Sequence, residues 1–344
     1  MVRSGRRHML IDGSFGEGGG QVLRTSLALA SVAGLGIDVT NIRARRDPPG
    51  LRPQHLCAVT SLAAITDAAL EGARVGSTRL SFHPSALRAG QYRFDVGTAG
   101  SVTLLLQALL VPLLMANEPS ELVLVGGTDV RWSPTVDYMS NVTLRALSRL
   151  GIDADMTLVK RGYYPRGGGE VRLCISPWER ARPLGHVRVR EPDSLTVVSS
   201  CAGLPDHVAQ RQAKGALMLL EGYDVDVVYD TSGHGVGSAL SIYGDAGEMP
   251  IGTSAVGARG YSAEEVGADA AREMLQTIEK KTLDSHLPDQ LVPYIGLSGD
   301  ATLPIPALTG HLETNLAMTS RFIPLCWDKD ERKISIKRKE RAHR

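Results

Sequence analysis

The feature that most constrains this chain is a pattern that returns. A strand at His8–Asp12 leads through a glycine-rich turn to a helix over Gln21–Ala33, a strand at Asp38–Arg43, a helix over Gln54–Ala69, and short strands near Ala73 and at Leu80–His83. The same βαβαββ order follows as strand Tyr92–Val96, helix Ser101–Ala116, strand Glu121–Val125, helix Pro134–Leu150, and strands Asp153–Val159 and Glu170–Ile175. Ser133-Pro134 predicts the start of the fourth helix, with a capping hydroxyl before a proline whose missing N–H costs nothing there. A third copy closes the chain as helix Leu283–Leu297, strand Ala301–Ile305, helix Gly310–Arg321, and strands Ile323–Trp327 and Lys333–Lys337. A strand at Val187–Arg190 is the expected first member of that copy. Between it and its helix lies a separate α/β module: strand Leu195–Ser200, helix Pro205–Gly222, strands Asp224–Tyr229, Ala239–Tyr243 and Pro250–Ala255, and helix Ala263–Glu279. A chain of 344 residues has ample length for such a plan.

Charge is near balance at +1 but unevenly placed. Arg3, Arg6 and Arg7 open the chain, and eight Lys/Arg against three Asp/Glu fill residues 329–344, which leaves a mildly acidic body. Within that body Arg43, Arg45, Arg46 and Arg52 crowd around one acid, Asp47, as a phosphate-contacting patch or a solvated loop. Aromatic residues make up only 5%, which argues against a surface that binds single strands mainly by stacking. Cys57, Cys174, Cys201 and Cys326 are far apart with no CxxC pair, so a reducing cytoplasm fits best. The longest apolar run, Val102–Ala116, contains Gln107 and Pro112 and is too short to span a bilayer; no membrane partner is expected. The basic, polar opening predicts no export signal.

Chemistry can be sought at the glycine clusters: Gly13–Gly20 (GSFGEGGG), Gly97–Ser101 (GTAGS), Gly126–Asp129 (GGTD), Arg161–Val171 (RGYYPRGGGEV) and Gly233–Ser238 (GHGVGS). None fits a Walker or dinucleotide pattern. Several precede helices, whose free N–H groups attract anions, though tight turns of an α/β fold need glycine too. Glu17, among four close glycines, suits a hard divalent cation bridging substrate phosphates, or simply an acid near a helix start. His311, in TGHLETN with Thr309 as the expected N-cap, sits where a helix N-terminus keeps an imidazole neutral and nucleophilic; a structural role is the alternative.

Taken together, DGSFGEGGGQVLR (Asp12–Arg24), RARRDPPGLRPQH (Arg43–His55), GTAGSVTLLLQ (Gly97–Gln107), GGTD (Gly126–Asp129), RGYYPRGGGEV (Arg161–Val171), HLPDQL (His286–Leu291) and GHLETN (Gly310–Asn315) resemble the RNA 3′-terminal phosphate cyclase family over essentially the whole chain. The resemblance implies an α/β (α+β) fold of three repeated units, each two helices on a four-stranded sheet, with a smaller inserted α/β domain carrying thioredoxin-like elements. It places a catalytic domain at residues 1–183 and 279–344 and the insert at 184–278. It implies ATP-dependent conversion of an RNA 3′-phosphate to a 2′,3′-cyclic phosphodiester through a histidine-AMP and an RNA-(3′)pp(5′)A intermediate, releasing pyrophosphate and AMP.

By motif, His311 is the nucleophile and Glu17 the ligand for Mg²⁺ or Mn²⁺; Gln107, Pro134, His286, Leu287, Pro288, Asp289 and Gln290 face ATP. Arg24, Arg43, Arg46, Gln54 and His55 fall where the RNA 3′-phosphate is gripped, since guanidinium forks match phosphate oxygens. Arg52-Pro53 departs from the family order there, so Arg52 receives no role. Two rivals stand beside this reading: an inactive cyclase-like RNA-binding protein of ribosome assembly, against which His311, Glu17, Gln107 and Asp289-Gln290 weigh together, and an enolpyruvyl transferase, which gives no reason for GHLETN. The partners expected are ATP, an RNA 3′ end and a second copy in a homodimer. Low net charge points to an enzyme that reads an RNA end and little of its body.

Overall fold

The computed structural model describes residues 8–339; Arg3, Arg6 and Arg7 and the part of the basic tail from 340 onward lie outside them. Its first sheet is built from β1 (His8–Asp12), β2 (Gly36–Thr40), β3 (Ala69–Glu71) and β4 (Leu80–His83) in the order β1-β2-β4-β3, with α1 (Gly20–Ala33) and α2 (Pro53–Thr66) as the connections. β1 and β2 run parallel, as a helical crossover requires, and the other pairs are antiparallel. Helix α1 is apolar around most of its circumference, with Val22, Leu23, Leu27, Leu29 and Ala30 buried, so it lies inside the molecule against α2 and later helices. It starts at Gly19 without a side-chain cap. The strand expected near Ala73 falls instead at β3, because α2 already ends at left-handed Asp67 and left-handed Gly72 turns the chain back.

The second sheet has the order β5-β6-β8-β7, from β5 (Gln91–Asp95), β6 (Ser120–Gly126), β7 (Ala154–Lys160) and β8 (Gly169–Ile175). Its first crossover is α3 (Val102–Leu114), whose N-cap Ser101 accepts from Leu104 N at 3.1 Å and whose lining of leucines is buried. Among the described residues no helix is long and apolar enough to cross a membrane. The helix expected over Pro134–Leu150 begins later and is uneven: α4 (Val136–Tyr138) runs through a π-helical stretch (Met139–Leu144) into α5 (Arg145–Arg149). The cap is Thr135, which accepts from Tyr138 N, whereas the Ser133 hydroxyl turns back to Val130 O. Pro134 therefore stays outside the helix, its carbonyl accepting from Thr103 Oγ1 at 2.8 Å.

β9 (Gly185–His186) is the next strand, two residues ahead of the expected Val187–Arg190. From Arg188 the backbone leaves that sheet: Arg188 N donates to Glu248 and Arg190 N to Ala246 O, groups of a neighbouring turn. A third sheet then forms from β10 (Ser194–Ala202), β11 (Asp224–Asp230), β12 (Gly237–Ala246) and β13 (Met249–Val256) in the order β11-β10-β12-β13. α6 (His207–Leu217) and α7 (Ala263–Lys280) pack on it and against each other, so closely that a Cβ on Gly267 of α7 would collide with the Gln212 carbonyl of α6. α7 opens with a full capping box, Ser262 with Glu265.

The last sheet combines β9 with β14 (Ala301–Pro304), β15 (Leu325–Asp330) and β16 (Lys333–Arg338), linked by α8 (Leu287–Ser298) and α9 (Gly310–Phe322). Its order is β15-β16-β14-β9 with β9 and β14 parallel. Read from the parallel end, the first, second and last sheets share one order of strands, first-second-fourth-third. The result is a mixed α/β protein with several four-stranded sheets, in which α1, α8 and α9 meet at their N-terminal ends.

Candidate active site

The site grows from the Gly13–Gly20 turn. Asp12 Oδ1 accepts from Ser14 N, Ser14 Oγ and Asn41, which curls the turn back over the end of β1. The glycines are demanded by proximity: a Cβ on Gly16 would collide with Thr314, and one on Gly310 would lie 2.7 Å from Glu17 Oε1. Glu17 thus lies against the first residues of α9, where Thr309 caps by accepting from Leu312 N at 3.1 Å. There His311 Nε2 is 3.1 Å from Glu17 Oε2 and Nδ1 is 2.9 Å from Gln21 Oε1.

Gln21 settles which ring nitrogen carries hydrogen. Its amide NH₂ donates to Asp289 Oδ2 at 3.1 Å, so its oxygen faces the ring and Nδ1–H must donate to it. In the neutral ring Nε2 then holds a free lone pair. Burial pulls the His311 pKa below its ordinary value, and the nearby Arg24, His286 and Arg46 charges add to the shift while Glu17 opposes it. A lone pair facing a carboxylate favours a proton or a cation between them. Among the described residues no cluster of three or more His, Cys, Asp or Glu could cage a metal. Glu17 alone fits a divalent cation that takes its other ligands from water and phosphate oxygens.

α8 supplies the floor. Buried Asp284 accepts from His286 N and Leu287 N at 2.9 Å each and so caps the helix, while also accepting from Tyr138 OH at 2.6 Å and Gly252 N at 3.3 Å. Asp289 is pushed up to about 8 by burial and by Asp284, against the pull of Arg24. Gln290 Oε1 accepts from Gln107 Nε2 at 2.9 Å and from Thr143 Oγ1 of the π-helical stretch at 3.0 Å, and its amide donates to His286 O.

These groups open onto a cavity of about 740 Å³ lined by Gln21, Arg24, Gln107, Pro134, His286, Asp289, Gln290 and His311, together with Arg131, Trp132, Arg259 and Tyr261. Leu287 and Pro288 are buried in the first turn of α8 and do not line it.

Beside the cavity, the start of α1 meets a basic group. His55 Nδ1 accepts from Arg52 N at 3.2 Å, so Nε2 carries the ring hydrogen, and a Cβ on Gly20 would collide with that nitrogen and approach Arg24 Nη1. Burial, then Arg24, Arg43 and Arg52, pull His55 down to about 3, and burial pulls Arg24 down to about 10. Arg46 reaches Gly19 at the uncapped end of α1. Free N–H groups, a neutral imidazole donor and guanidinium groups are the chemistry that suits an anion. Gln54 faces the Gly97–Ser101 turn, accepting from Ser101 N. Arg43 is partly committed: in a left-handed conformation (φ 53°), its Nη1 donates to Pro48 O and Gly50 O of its own loop.

The Arg161–Val171 motif has a different place. Arg161 is 2% exposed and pairs with Asp129 at 3.1 Å, Asp137 at 2.8 Å and Asp230 at 2.7 Å. Burial raises the Asp137 pKa against the pull of that guanidinium. Sequence reasoning missed Gln21, Asp284 and the lining residues of the 184–278 segment. Gln21 carried one signal, an amide opening a helix directly after GGG; Asp284 carried another, a capping residue just ahead of HLPDQ. That part of the lining is assembled over long sequence separations and carried none.

A sequence-family profile described as RNA 3′-terminal phosphate cyclase matches residues 15–327. A protein of that name from Pyrococcus furiosus is 42% identical over 318 residues, 91% of this chain and 93% of its own. Another of the same name, from Pyrobaculum neutrophilum, is 44% identical over 323 residues, 92% of this chain and 93% of its own. A solved structure, the enolpyruvyl transferase NikO from Streptomyces tendae, aligns at 12% identity with a TM-score of 0.27, covering 97% of this chain and 66% of that one, too faint a likeness to bear on the fold.

Proposed function

The chain belongs to the RNA 3′-terminal phosphate cyclase family, and on that premise we propose that it cyclises RNA 3′-phosphates with ATP through an adenylate on His311. ATP occupies the cavity, its base toward Pro134, His286, Gln107 and Gln290 and its phosphates toward His311 and Glu17. Nε2 attacks the α-phosphorus; the P–O bond to pyrophosphate breaks and a P–N bond forms. Nδ1–H stays on Gln21, which spreads the ring's new charge toward Asp289. A divalent cation held by Glu17 would neutralise charge on the phosphate oxygens. The N–H groups at the start of α9 face the same oxygens.

An RNA 3′-phosphate, gripped by Arg24, Arg46 and His55 at the uncapped start of α1, then attacks the adenylate phosphorus. The P–N bond breaks, its electron pair returns to Nε2, and AMP passes to the RNA. The 2′-hydroxyl attacks the 3′-phosphorus, loses its proton and expels AMP. Splitting the reaction in this way replaces one difficult substitution with easier ones. We read the three sheets of shared order as three copies of one unit in residues 1–183 and 279–344, the segment 184–278 as an inserted domain with thioredoxin-like elements, and the cytoplasm as the setting.

The observation that carries this reading is the Asp289–Gln21–His311 chain, which leaves Nε2 as the unprotonated ring nitrogen, facing Glu17 at 3.1 Å. Incubation with α-labelled ATP and Mg²⁺ or Mn²⁺ is expected to leave acid-labile label on the protein, absent in His311→Ala. Equal labelling of that variant, or no labelling of the wild type, overturns it.

A further inference from the structure

Trp132 is 94% exposed, the most exposed large apolar side chain among the described residues, yet its loop is fixed. Ser133 Oγ bonds Val130 O, Val136 N bonds Thr128 O and Thr103 holds Pro134 O, so both ends of the segment are pinned. Trp132 itself is held at φ 61°, a conformation unfavourable for a bulky residue. A pinned, strained backbone that presents an indole to water forgoes the burial an aromatic ring normally seeks. The guanidinium of Arg131 lies over it, 5.9 Å from the ring centroid. Trp132 lines the same cavity as His311, and so does exposed Arg259.

We infer that Trp132 is a stacking platform for a base at the 3′ end of the RNA, with Arg131 and Arg259 flanking the sugar-phosphate chain as it leaves the cavity. This rests on the function proposed above. The adenine of ATP has the inner wall, Pro134, His286, Gln107 and Gln290. The polynucleotide must enter with its terminal phosphate at His311 and its body outside, where the indole stands. Stacking on an aromatic face accepts any base, which suits an enzyme that reads an end rather than a sequence.

The test compares wild type, Trp132→Ala and Trp132→Phe in self-adenylylation with labelled ATP and in cyclisation of an oligonucleotide ending in a 3′-phosphate, together with the same oligonucleotide made abasic at its last nucleotides. Trp132→Ala is expected to keep the rate and ATP dependence of self-adenylylation while raising KM for RNA on the order of tenfold. Trp132→Phe restores most of that affinity, and wild type and Trp132→Ala converge on the abasic substrate. RNA is also expected to quench tryptophan fluorescence in the wild type and much less in Trp132→Phe. An unchanged KM for RNA in Trp132→Ala, or a rise confined to KM for ATP, which would assign the ring to adenine, overturns the inference. Failure of the wild type to take up label would instead overturn the function beneath it.

Discussion

Replacing Arg161 with methionine keeps most of the volume and removes the one cation shared by three carboxylates. Arg161 is 2% exposed, Asp129 0% and Asp137 13%, so water screens this group little; Asp230, at 26%, is better solvated and contributes less. Breaking a buried ion pair from one side costs about 3–5 kcal/mol, a large share of the roughly 5–15 kcal/mol that holds a typical fold. Urea unfolding followed by circular dichroism should show that loss at pH 8. The loss should shrink at pH 5. In the folded wild type the Asp137 pKa already lies above its ordinary value, because burial outweighs the pull of Arg161. Without Arg161 it rises further, so the folded variant binds the extra proton, gains stability below that pKa and loses it as pH climbs through it. Adding Asp137→Asn to the variant should recover part of the loss at pH 8. A change below about 1 kcal/mol, or one equal at both pH values, would refute the view that this motif arginine is a structural hub.

Other outcomes follow from the same geometry. Glu17→Ala should abolish metal-dependent self-adenylylation while leaving Tm nearly unchanged, since the side chain is exposed; calorimetry with Mn²⁺ and ATP checks the metal role directly. Arg46→Ala should spare self-adenylylation and impair transfer to RNA. Arg43→Ala should do the same and also cost about 1 kcal/mol in urea unfolding, because Nη1 holds two loop carbonyls. Burial pushes the Asp289 pKa up to about 8, so stability falls progressively as pH rises from the ordinary carboxylate range to about 8 and levels off beyond it. Thermal melts from pH 6 to 9 should show that slope, flattened in Asp289→Asn.

The order of helices and strands was largely legible because periodicity and glycine turns are local signals. The misreadings are local too. Ser133-Pro134 looked like a cap and first turn, but Thr135 competes as a cap with an equally good hydroxyl, and tertiary bonds to Thr103 and Val130 decide the matter. Val187–Arg190 has strand composition, yet only Val187 N still bonds the sheet, at Thr302 O, while Arg188 N and Arg190 N go to a turn more than fifty residues away. Of the candidate site, Glu17 was suggested by its glycine neighbours, His311 by its place at a helix start and the basic cluster by its charge. The sequence could not show that Gln21 bridges His311 and Asp289, 290 and 268 residues distant, nor that Arg43 spends two of its five donors on its own loop.

Three of the bonds that hold the 184–278 segment to the rest of the protein are Asp284 accepting from Gly252 N, the hydroxyl bond between Thr135 and Ser241, and Arg161 donating to Asp230. Each joins a residue beside the cavity or its motif to a strand of that segment. The segment therefore cannot be treated as a detachable cassette. Trimming it to make a minimal enzyme would strand a buried carboxylate and a buried arginine, and grafting in another such segment would succeed only if the newcomer brought a glycine amide, a hydroxyl and an acid to the same three points.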